Sequence, residues 1–227
     1  MSLLLVRHGQ ASAGTSDYDR LSERGIAQSR RLGDWLTQTG HGFDAVVVGG
    51  MRRHRQTYDA IAEAYARAGL PLPEPSTDPG LAEFDHHAVF DGFVAKQPDH
   101  PAVQASRQGG LPALGALIHA ALGAWADDGI DDLPESWSMF GERVQAAGAR
   151  LAALAAKGDV LVLSSGGVIS RLAQASLGAD KRTAIDLNLS LRNSGLCEFH
   201  SRPYGLALGS WNALPHLHDA RDLWTYY

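Results

Sequence analysis

The chain has 227 residues, of which 44% are hydrophobic and 20% are charged. This length and balance are typical of one globular domain, or of one domain with an insertion. The net charge of −5, without a basic cluster that has interleaved aromatic residues, argues against a nucleic-acid-binding protein. No apolar stretch approaches the ~20 residues that a membrane span needs, so no membrane partner is predicted.

The cysteine content and the N-terminus predict the compartment. The single cysteine, Cys197, excludes an intramolecular disulfide and favours a reducing environment. The N-terminal apolar run Leu3–Val6 is short and has no basic flank, unlike a signal peptide. We therefore expect a cytoplasmic protein.

The first predicted strand, Leu3–Val6, ends in residues that suit an anion site. Consecutive apolar residues fit a strand buried on both faces, as in a parallel sheet. Arg7, His8 and Gly9 follow at its carboxyl end, where open α/β sheets bind ligands. An arginine fork matches phosphate or carboxylate, and a histidine can serve as nucleophile, acid or base. Taken alone, this tripeptide fits a surface Arg-His pair after an edge strand equally well.

Helices and strands alternate after the polar first loop. Ser22 is a good N-cap for a helix that ends near Gly40. Phe43–Val48 is a second buried strand, and a second helix is predicted from about Arg52 to Ala68. A short strand is predicted near Glu74–Thr77.

The alternation is interrupted between residues 84 and 136. Four prolines and an apolar helical patch from Leu114 to Trp125 favour a mostly helical insertion or lid over 84–136, within a single domain 1–227. In this segment Lys96 and Arg107 are outnumbered by acidic residues, so a highly charged substrate is not expected. The acidic residues are Asp85, Asp91, Asp99, Asp127, Asp128, Asp131, Asp132 and Glu135.

The remainder of the chain returns to alternating elements. A helix is predicted from about Ser138 to Lys157, Val160–Ser164 is a third buried strand, and a helix opening on Ser-Gly-Gly covers 165–177. Leu196–His200 and Leu206–Trp211 then form a hairpin. These elements predict a three-layer α/β fold with a mainly parallel central sheet, helices on both faces and a C-terminal β-hairpin.

Three strand ends together favour a phosphate site. The first strand offers Arg7 and His8, and the second leads through a Gly-Gly turn to Arg53 at a helix start. The third strand offers Ser165 and Gly166, again at a helix start, where backbone N–H groups and the helix dipole bind phosphate. We expect these residues to clamp a phosphoryl group, with His8 as the nucleophile inside the clamp.

With these motifs the chain resembles the histidine phosphatase superfamily, the phosphoglycerate mutase-like proteins. Leu5–Gly9 (Leu-Val-Arg-His-Gly) is similar to the motif whose histidine takes the phosphoryl group. Met51–Thr57 resembles the second arginine motif and places that arginine at Arg53, and Leu81–Glu83 resembles the loop that carries the acidic proton donor. The segments that extend the resemblance over most of the chain are Leu21–Gln28, Glu135-Ser136, Arg143-Val144 and Asn193-Ser194.

The resemblance implies a phosphatase that acts on a small phosphomonoester. In this interpretation His8 becomes a phosphohistidine, Arg7 and Arg53 hold the phosphoryl group, and Glu83 is first the acid and then the base. No metal and no organic cofactor is implied, because the histidine and the arginines suffice for this chemistry. The oligomeric state stays open.

One position departs from the pattern of the family. The third motif of the family is Ser-His-Gly-Gly, whereas residues 164–167 are Ser-Ser-Gly-Gly, so Ser165 replaces the second active-site histidine. A serine hydroxyl can donate one hydrogen bond, but it is shorter and uncharged. The loss of a charge-assisted contact typically costs a few kcal/mol of transition-state stabilisation, roughly a hundredfold in rate. The departure bears on the activity and not on the fold.

Two alternatives to a phosphatase follow from these motifs. Ser165 supports a degenerate, non-catalytic protein that binds a phospholigand, whereas His8 and Glu83 favour an enzyme. A phosphoglycerate mutase ranks third, because Glu83 is followed by Phe-Asp-His-His rather than Tyr-Gly. Gly9 is likewise followed by Gln-Ala-Ser rather than Glu-Ser.

Two groups of histidines contain residue types that bind metals. His86 and His87 lack matching acidic or cysteine ligands, and we interpret them as histidines beside a cleft. His216, His218 and Asp219 lie in a C-terminal tail of mixed polarity. We predict no metal at either group.

Overall fold

A single mixed sheet organises the fold. The computed structural model describes residues 2–12 and 18–226, so part of the predicted first loop, 13–17, lies outside the described residues. In the described part, the sheet has the order β3-β2-β4-β1-β5-β6, with β1 to β4 parallel and the β5-β6 hairpin antiparallel. This confirms the predicted mainly parallel α/β fold. The strands are β1 (Ser2–Arg7), β2 (Ala45–Val48), β3 (Ser76–Thr77), β4 (Val160–Ser164), β5 (Leu196–Arg202) and β6 (Gly205–Ala213).

The helices of the described residues follow the predicted alternation, with one addition. The helix Lys181–Ser190 was not predicted, because it buries only Ala184 and Ile185 and shows no long apolar stripe. The helices are α1 (Glu23–Gln38), α2 (Arg52–Ala68), α3 (His86–Lys96), α4 (Pro101–Ser106), α5 (Leu111–Ala126), α6 (Trp137–Ala155), α7 (Gly166–Leu177) and α8 (Lys181–Ser190). Within the described ranges, no helix combines the length and the apolarity that crossing a bilayer requires.

The central strands are buried on both faces, as their continuous apolar runs predict. In β1, Leu3 and Leu5 join one hydrophobic cluster, whereas Val6 joins the other. In β4, Val162 and Leu163 divide in the same way. Because side chains alternate across a strand, the two clusters lie on opposite faces of the sheet and form the two interfaces of a three-layer structure.

Residues 84–136 contain α3, α4 and α5. Val89 and Phe93 of α3, and Leu122 and Trp125 of α5, are buried in the same cluster as Leu5 of the central strand. The segment therefore packs on the main core. Its assignment as an insertion or lid within one domain 1–227 stays a prediction.

Helices α1 and α2 approach each other closely at a glycine. A Cβ atom at Gly33 would lie 2.8 Å from the Ala64 Cβ and 2.9 Å from the Ile61 Cα. Both distances are shorter than a normal carbon–carbon contact, so this helix pair has no room for a methyl group. Gly123 in α5 lies in open space, where an added Cβ would meet no atom within 4 Å.

We expect the same substitution at these two glycines to change stability in opposite directions. Gly123→Ala should raise the free energy of unfolding by about 0.5–1 kcal/mol, because alanine is the better helix former. Gly33→Ala should lower it by about 1 kcal/mol, because overpacking outweighs that gain. Denaturant unfolding measures both values, and equal stabilisation by the two changes would contradict the close helix contact.

Candidate active site

His8 lies directly after β1 and is only 5% exposed. Its Nδ1 is 2.7 Å from the Gly9 carbonyl oxygen, which can only accept, so we assign the proton to Nδ1. Nε2 then carries the lone pair and accepts a hydrogen bond from Arg53 Nε at 3.0 Å. Burial, followed by the charges of Arg53 and Arg7, holds the pKa of His8 well below its usual value. The imidazole is therefore neutral, which is the form that a nucleophile needs.

The loop after His8 is fixed to two helices. A side chain at Gly9 would overlap the Gly25 carbonyl oxygen of α1, so the close approach requires glycine. Thr57 Oγ1 accepts a hydrogen bond from Gly9 N at 3.1 Å and donates one to the Arg53 carbonyl oxygen at 2.8 Å. Thr57 thereby connects the loop that carries the histidine to the helix that carries Arg53.

Two guanidinium groups border the same cavity as His8. Arg7 donates from Nη1 to the Leu191 carbonyl oxygen. Arg53 is 2% exposed, its Nη1 pairs with Asp19 Oδ1 at 3.0 Å, and its guanidinium lies 5.6 Å from the centre of the Tyr18 ring. The two positive charges beside a neutral histidine make this end of the cavity suitable for a phosphoryl group.

Glu83 borders the cavity from the loop that precedes α3. Its Oε2 accepts a hydrogen bond from Gly167 N at 3.0 Å, and its Oε1 accepts one from Phe84 N at 3.2 Å. Burial nevertheless raises the pKa of Glu83 above its usual value. A carboxyl group with a raised pKa keeps its proton to higher pH, and this suits a proton donor.

A half-buried ion pair supports the loop that carries Glu83. Arg143 binds Glu135 through two contacts of 2.8 Å each. Its Nη1 also donates to the carbonyl oxygens of Gly80 at 3.0 Å and Ala82 at 2.9 Å. Arg143 therefore fixes the backbone directly before Glu83.

Ser165 is fully buried at the N-cap of α7 and is hydrogen bonded to a second buried histidine. Its Oγ lies 2.7 Å from His54 Nε2, and His54 Nδ1 lies 2.7 Å from the Gly49 carbonyl oxygen. By the same tautomer argument, Nδ1 carries the proton, so Ser165 donates its hydroxyl proton to His54. Burial, followed by the charge of Arg53, lowers the pKa of His54 to about 3, so His54 is neutral.

Four of the six predicted site residues lie around one cavity: Arg7, His8, Arg53 and Glu83. Ser165 and Gly166 are not among the residues that border it, and Ser165 reaches the site through Arg53, whose Nη2 is 3.5 Å from Ser165 Oγ. Their role in phosphate binding stays a prediction.

His54 was not predicted as a site residue, although it lies on the buried stripe of α2. The buried stripe runs from Ile61 back through Tyr58 and Thr57 to His54 at helical spacing, and this periodicity is the signal that marks His54 as buried. Asp19 was not predicted either, because no periodicity marks a residue of an irregular loop.

The two histidine groups with metal-binding residue types have other contacts. His86 and His87 border the cavity, with their ring centres 4.1 Å apart. His216 Nε2 lies 2.8 Å from Ser194 Oγ. Among the residues that the structure describes, no group of three histidine, cysteine or acidic residues could hold a metal ion.

The fold and the cavity define an α/β protein in which a buried histidine and two arginines border one cavity at the carboxyl edge of the parallel strands. A sequence profile of the histidine phosphatase superfamily (branch 1) matches residues 3–214. The chain therefore belongs to the histidine phosphatase superfamily.

Curated relatives match part of this chain. A 2,3-bisphosphoglycerate-dependent phosphoglycerate mutase from Methylobacterium radiotolerans is 34% identical over 77 residues, which is 31% of this chain and 36% of the relative. The corresponding mutase from Methylorubrum populi is 37% identical over 75 residues, 30% of this chain and 35% of the relative. The match spans little more than a third of the length of these relatives.

Solved structures share the fold over nearly the whole chain. A mutant phosphoserine phosphatase from Entamoeba histolytica, in complex with phosphoserine, has a TM-score of 0.64 at 17% identity and covers 95% of this chain and 98% of its own. A putative alpha-ribazole-5'-P phosphatase from Escherichia coli has a TM-score of 0.65 at 22% identity, and the match covers 94% of this chain and 96% of that one. A phosphoglycerate mutase from Bacillus anthracis has a TM-score of 0.66 at 16% identity, and the match covers 96% of this chain and 95% of that one. At these identities the likeness shows the fold alone.

We expect the Ser165–His54 hydrogen bond to stabilise the fold. Ser165→Ala should lower the free energy of unfolding by about 1–3 kcal/mol, because it leaves the buried Nε2 of His54 without a donor. In a His54→Ala background the same change should cost little, because no acceptor is left unsatisfied. Denaturant unfolding of the two single variants and the double variant measures this coupling, and additive losses would contradict it.

Proposed function

We propose that this protein hydrolyses a small phosphomonoester through a phosphohistidine intermediate on His8. The observation that carries the proposal is the position of His8 Nε2, deprotonated and 3.0 Å from Arg53 Nε. A phosphoryl group that enters between Arg53 and His8 would replace this hydrogen bond. Its oxygens would accept from Arg53 while its phosphorus faces the freed lone pair of Nε2, so the arginine orients the group for attack. Membership in a superfamily of phosphatases and mutases supports this chemistry.

In the first step, the Nε2 lone pair of His8 attacks the phosphorus in line with the ester oxygen. A P–N bond forms as the P–O bond to the leaving group breaks, and the electron pair of that bond goes to the leaving oxygen. Glu83 gives its proton to this oxygen, so a neutral alcohol departs. Arg7 and Arg53 stabilise the charge on the transferring phosphoryl group.

In the second step, water hydrolyses the phosphohistidine. The water oxygen attacks the phosphorus while the Glu83 carboxylate takes the proton of the water. The P–N bond breaks, and its electron pair returns to Nε2 of His8. The products are inorganic phosphate, a neutral His8 and a protonated Glu83, which is the starting state of the site.

One observation favours a non-catalytic phospholigand-binding protein as the second candidate. Ser165 donates its hydroxyl proton to His54 at 2.7 Å, so in this arrangement the hydroxyl does not donate to a phosphoryl oxygen. Phosphoryl stabilisation then depends on Arg7, Arg53 and the start of α7. A phosphoglycerate mutase is the third candidate, and its support is the partial similarity to the curated mutases.

His8→Ala should abolish catalysis without abolishing the fold. We expect metal-free hydrolysis of p-nitrophenyl phosphate to fall at least ~1,000-fold, because the nucleophile is lost. His218→Ala is the matched control, since the side chain of His218 is 79% exposed, and it should retain full activity. Full activity in His8→Ala would refute the phosphohistidine route, and absence of turnover in the parent would favour the binding protein.

Glu83→Gln should reveal the proton donor through its dependence on the leaving group. For phenyl phosphate, whose leaving oxygen is basic and needs a proton, we expect kcat/KM to fall ~100-fold or more. For p-nitrophenyl phosphate, whose leaving oxygen needs little protonation, the fall should be less than ~10-fold. Equal losses on the two esters would contradict the role of Glu83 as the acid.

A further inference from the structure

The cavity that His8 borders has two chemically different ends. Its volume is about 270 Å³, near the lower limit of ~300 Å³ for small-molecule sites. Arg7 and Arg53 border one end, beside His8. The rest of the lining is mostly apolar and includes Phe84, Phe90, Leu114, Ile118, Leu122 and Leu189, together with Asn188 and Tyr226.

The apolar end begins at the proton donor. Phe84 directly follows Glu83 in the chain, and both side chains border the cavity. Because Glu83 protonates the leaving oxygen in the proposed mechanism, the group attached to that oxygen would extend along Phe84 toward α3 and α5. These apolar lining residues, called the apolar wall below, would therefore contact the leaving group and not the phosphoryl group.

Among the described residues, Arg7 and Arg53 are the only arginine or lysine side chains that border this cavity. Lys96 pairs with Asp131 at 2.6 Å, and Arg107 donates to Gln104 at 3.3 Å. Arg171 borders an adjoining space of about 10 Å³, which shares Phe84 and Leu122 with this cavity and has room only for water. The Arg171 guanidinium lies 4.3 Å from the centre of the Trp137 ring.

The histidines beside the wall extend its aromatic character. The His86 ring centre lies 5.0 Å from that of Tyr18 and 5.9 Å from that of Phe90. Burial, followed by the charges of His87 and Arg53, lowers the pKa of His86 to about 4. His86 is therefore a neutral ring near pH 7 and offers a stacking surface rather than a charge for an anionic leaving group.

We propose that the substrates of this site are phosphomonoesters whose leaving group is uncharged and apolar, of the size of a phenyl ring with a short linker. The proposal rests on the phosphatase function proposed above. A leaving group with a carboxylate would lose water against Phe90, Ile118 and Leu122 without gaining a cation, which is unfavourable. An apolar ring would instead bury its surface against the same side chains.

Three alkyl esters with similar leaving oxygens test the class of leaving group. We expect kcat/KM for 3-phenylpropyl phosphate to exceed that for n-propyl phosphate by at least ~30-fold. The value for 3-carboxypropyl phosphate should be about tenfold below that for n-propyl phosphate. Because all three leaving oxygens are primary alkoxides, these ratios report binding of the leaving group and not its basicity. Equal or faster turnover of the carboxylate ester would overturn the inference while the phosphatase function stood.

Leu114→Arg should shift this preference. Leu114 is 40% exposed at the edge of the apolar wall, so an arginine there can reach the cavity without burial of its charge. We expect a rise of about tenfold in kcat/KM for the carboxylate ester and a several-fold fall for the phenylpropyl ester. Leu154→Arg is the matched control, because Leu154 is 37% exposed on a helix and does not border the cavity, and it should change neither value. An unchanged preference in Leu114→Arg would count against the assignment of the wall.

Binding of phosphonates tests the preference for an apolar ligand independently of the proposed hydrolysis. The dissociation constants of 3-phenylpropylphosphonate and 3-carboxypropylphosphonate for the parent protein are measured by calorimetry. Tighter binding of the phenyl compound by at least tenfold supports the apolar ligand class even if no ester is hydrolysed, in which case only the phosphatase function fails. Equal affinities, or tighter binding of the carboxylate compound, overturn the inference.

Discussion

The hydrogen bond from Arg53 Nε to His8 Nε2 is the interaction on which the site depends. It is possible only because the backbone carbonyl of Gly9 holds the proton of His8 on the opposite nitrogen, Nδ1. The loop adopts this position because Gly9 has no side chain to overlap α1, and because Thr57 bonds to both Gly9 and the Arg53 carbonyl. The end of β1 and the start of α2 are thus joined around one nitrogen atom.

Burial prepares the two proposed catalytic groups in opposite directions. It lowers the pKa of His8, so the imidazole is neutral and Nε2 carries the lone pair that attack on phosphorus requires. It raises the pKa of Glu83, which favours the protonated form that a proton donor needs. Burial therefore favours the basic form of the nucleophile and the protonated form of the acid at the same time. Arg7 and Arg53 supply the positive charge that a phosphoryl group would neutralise.

The sequence predicted the part of the site that depends on strand ends. Arg7 and His8 follow a strand with a continuous apolar run, and Arg53 follows the Gly-Gly turn after another, so sheet topology alone brings them together. Glu83 was predicted only from the resemblance to the family, because an isolated carboxylate in a loop has no periodic signal. His54 was missed, although the buried stripe of α2 reaches it, and α8 was missed because its few buried residues show no clear stripe. Their contacts depend on tertiary packing, which local patterns do not encode.

Trapping the intermediate tests the central claim most directly. The parent protein is mixed with p-nitrophenyl phosphate that carries a radiolabelled phosphoryl group, quenched within milliseconds, and digested to locate the label. The mechanism predicts one label per chain on His8, stable to base, labile to acid, and lost when unlabelled substrate is added before the quench. No label during turnover, or an acid-stable label on Ser165, would contradict His8 as the nucleophile.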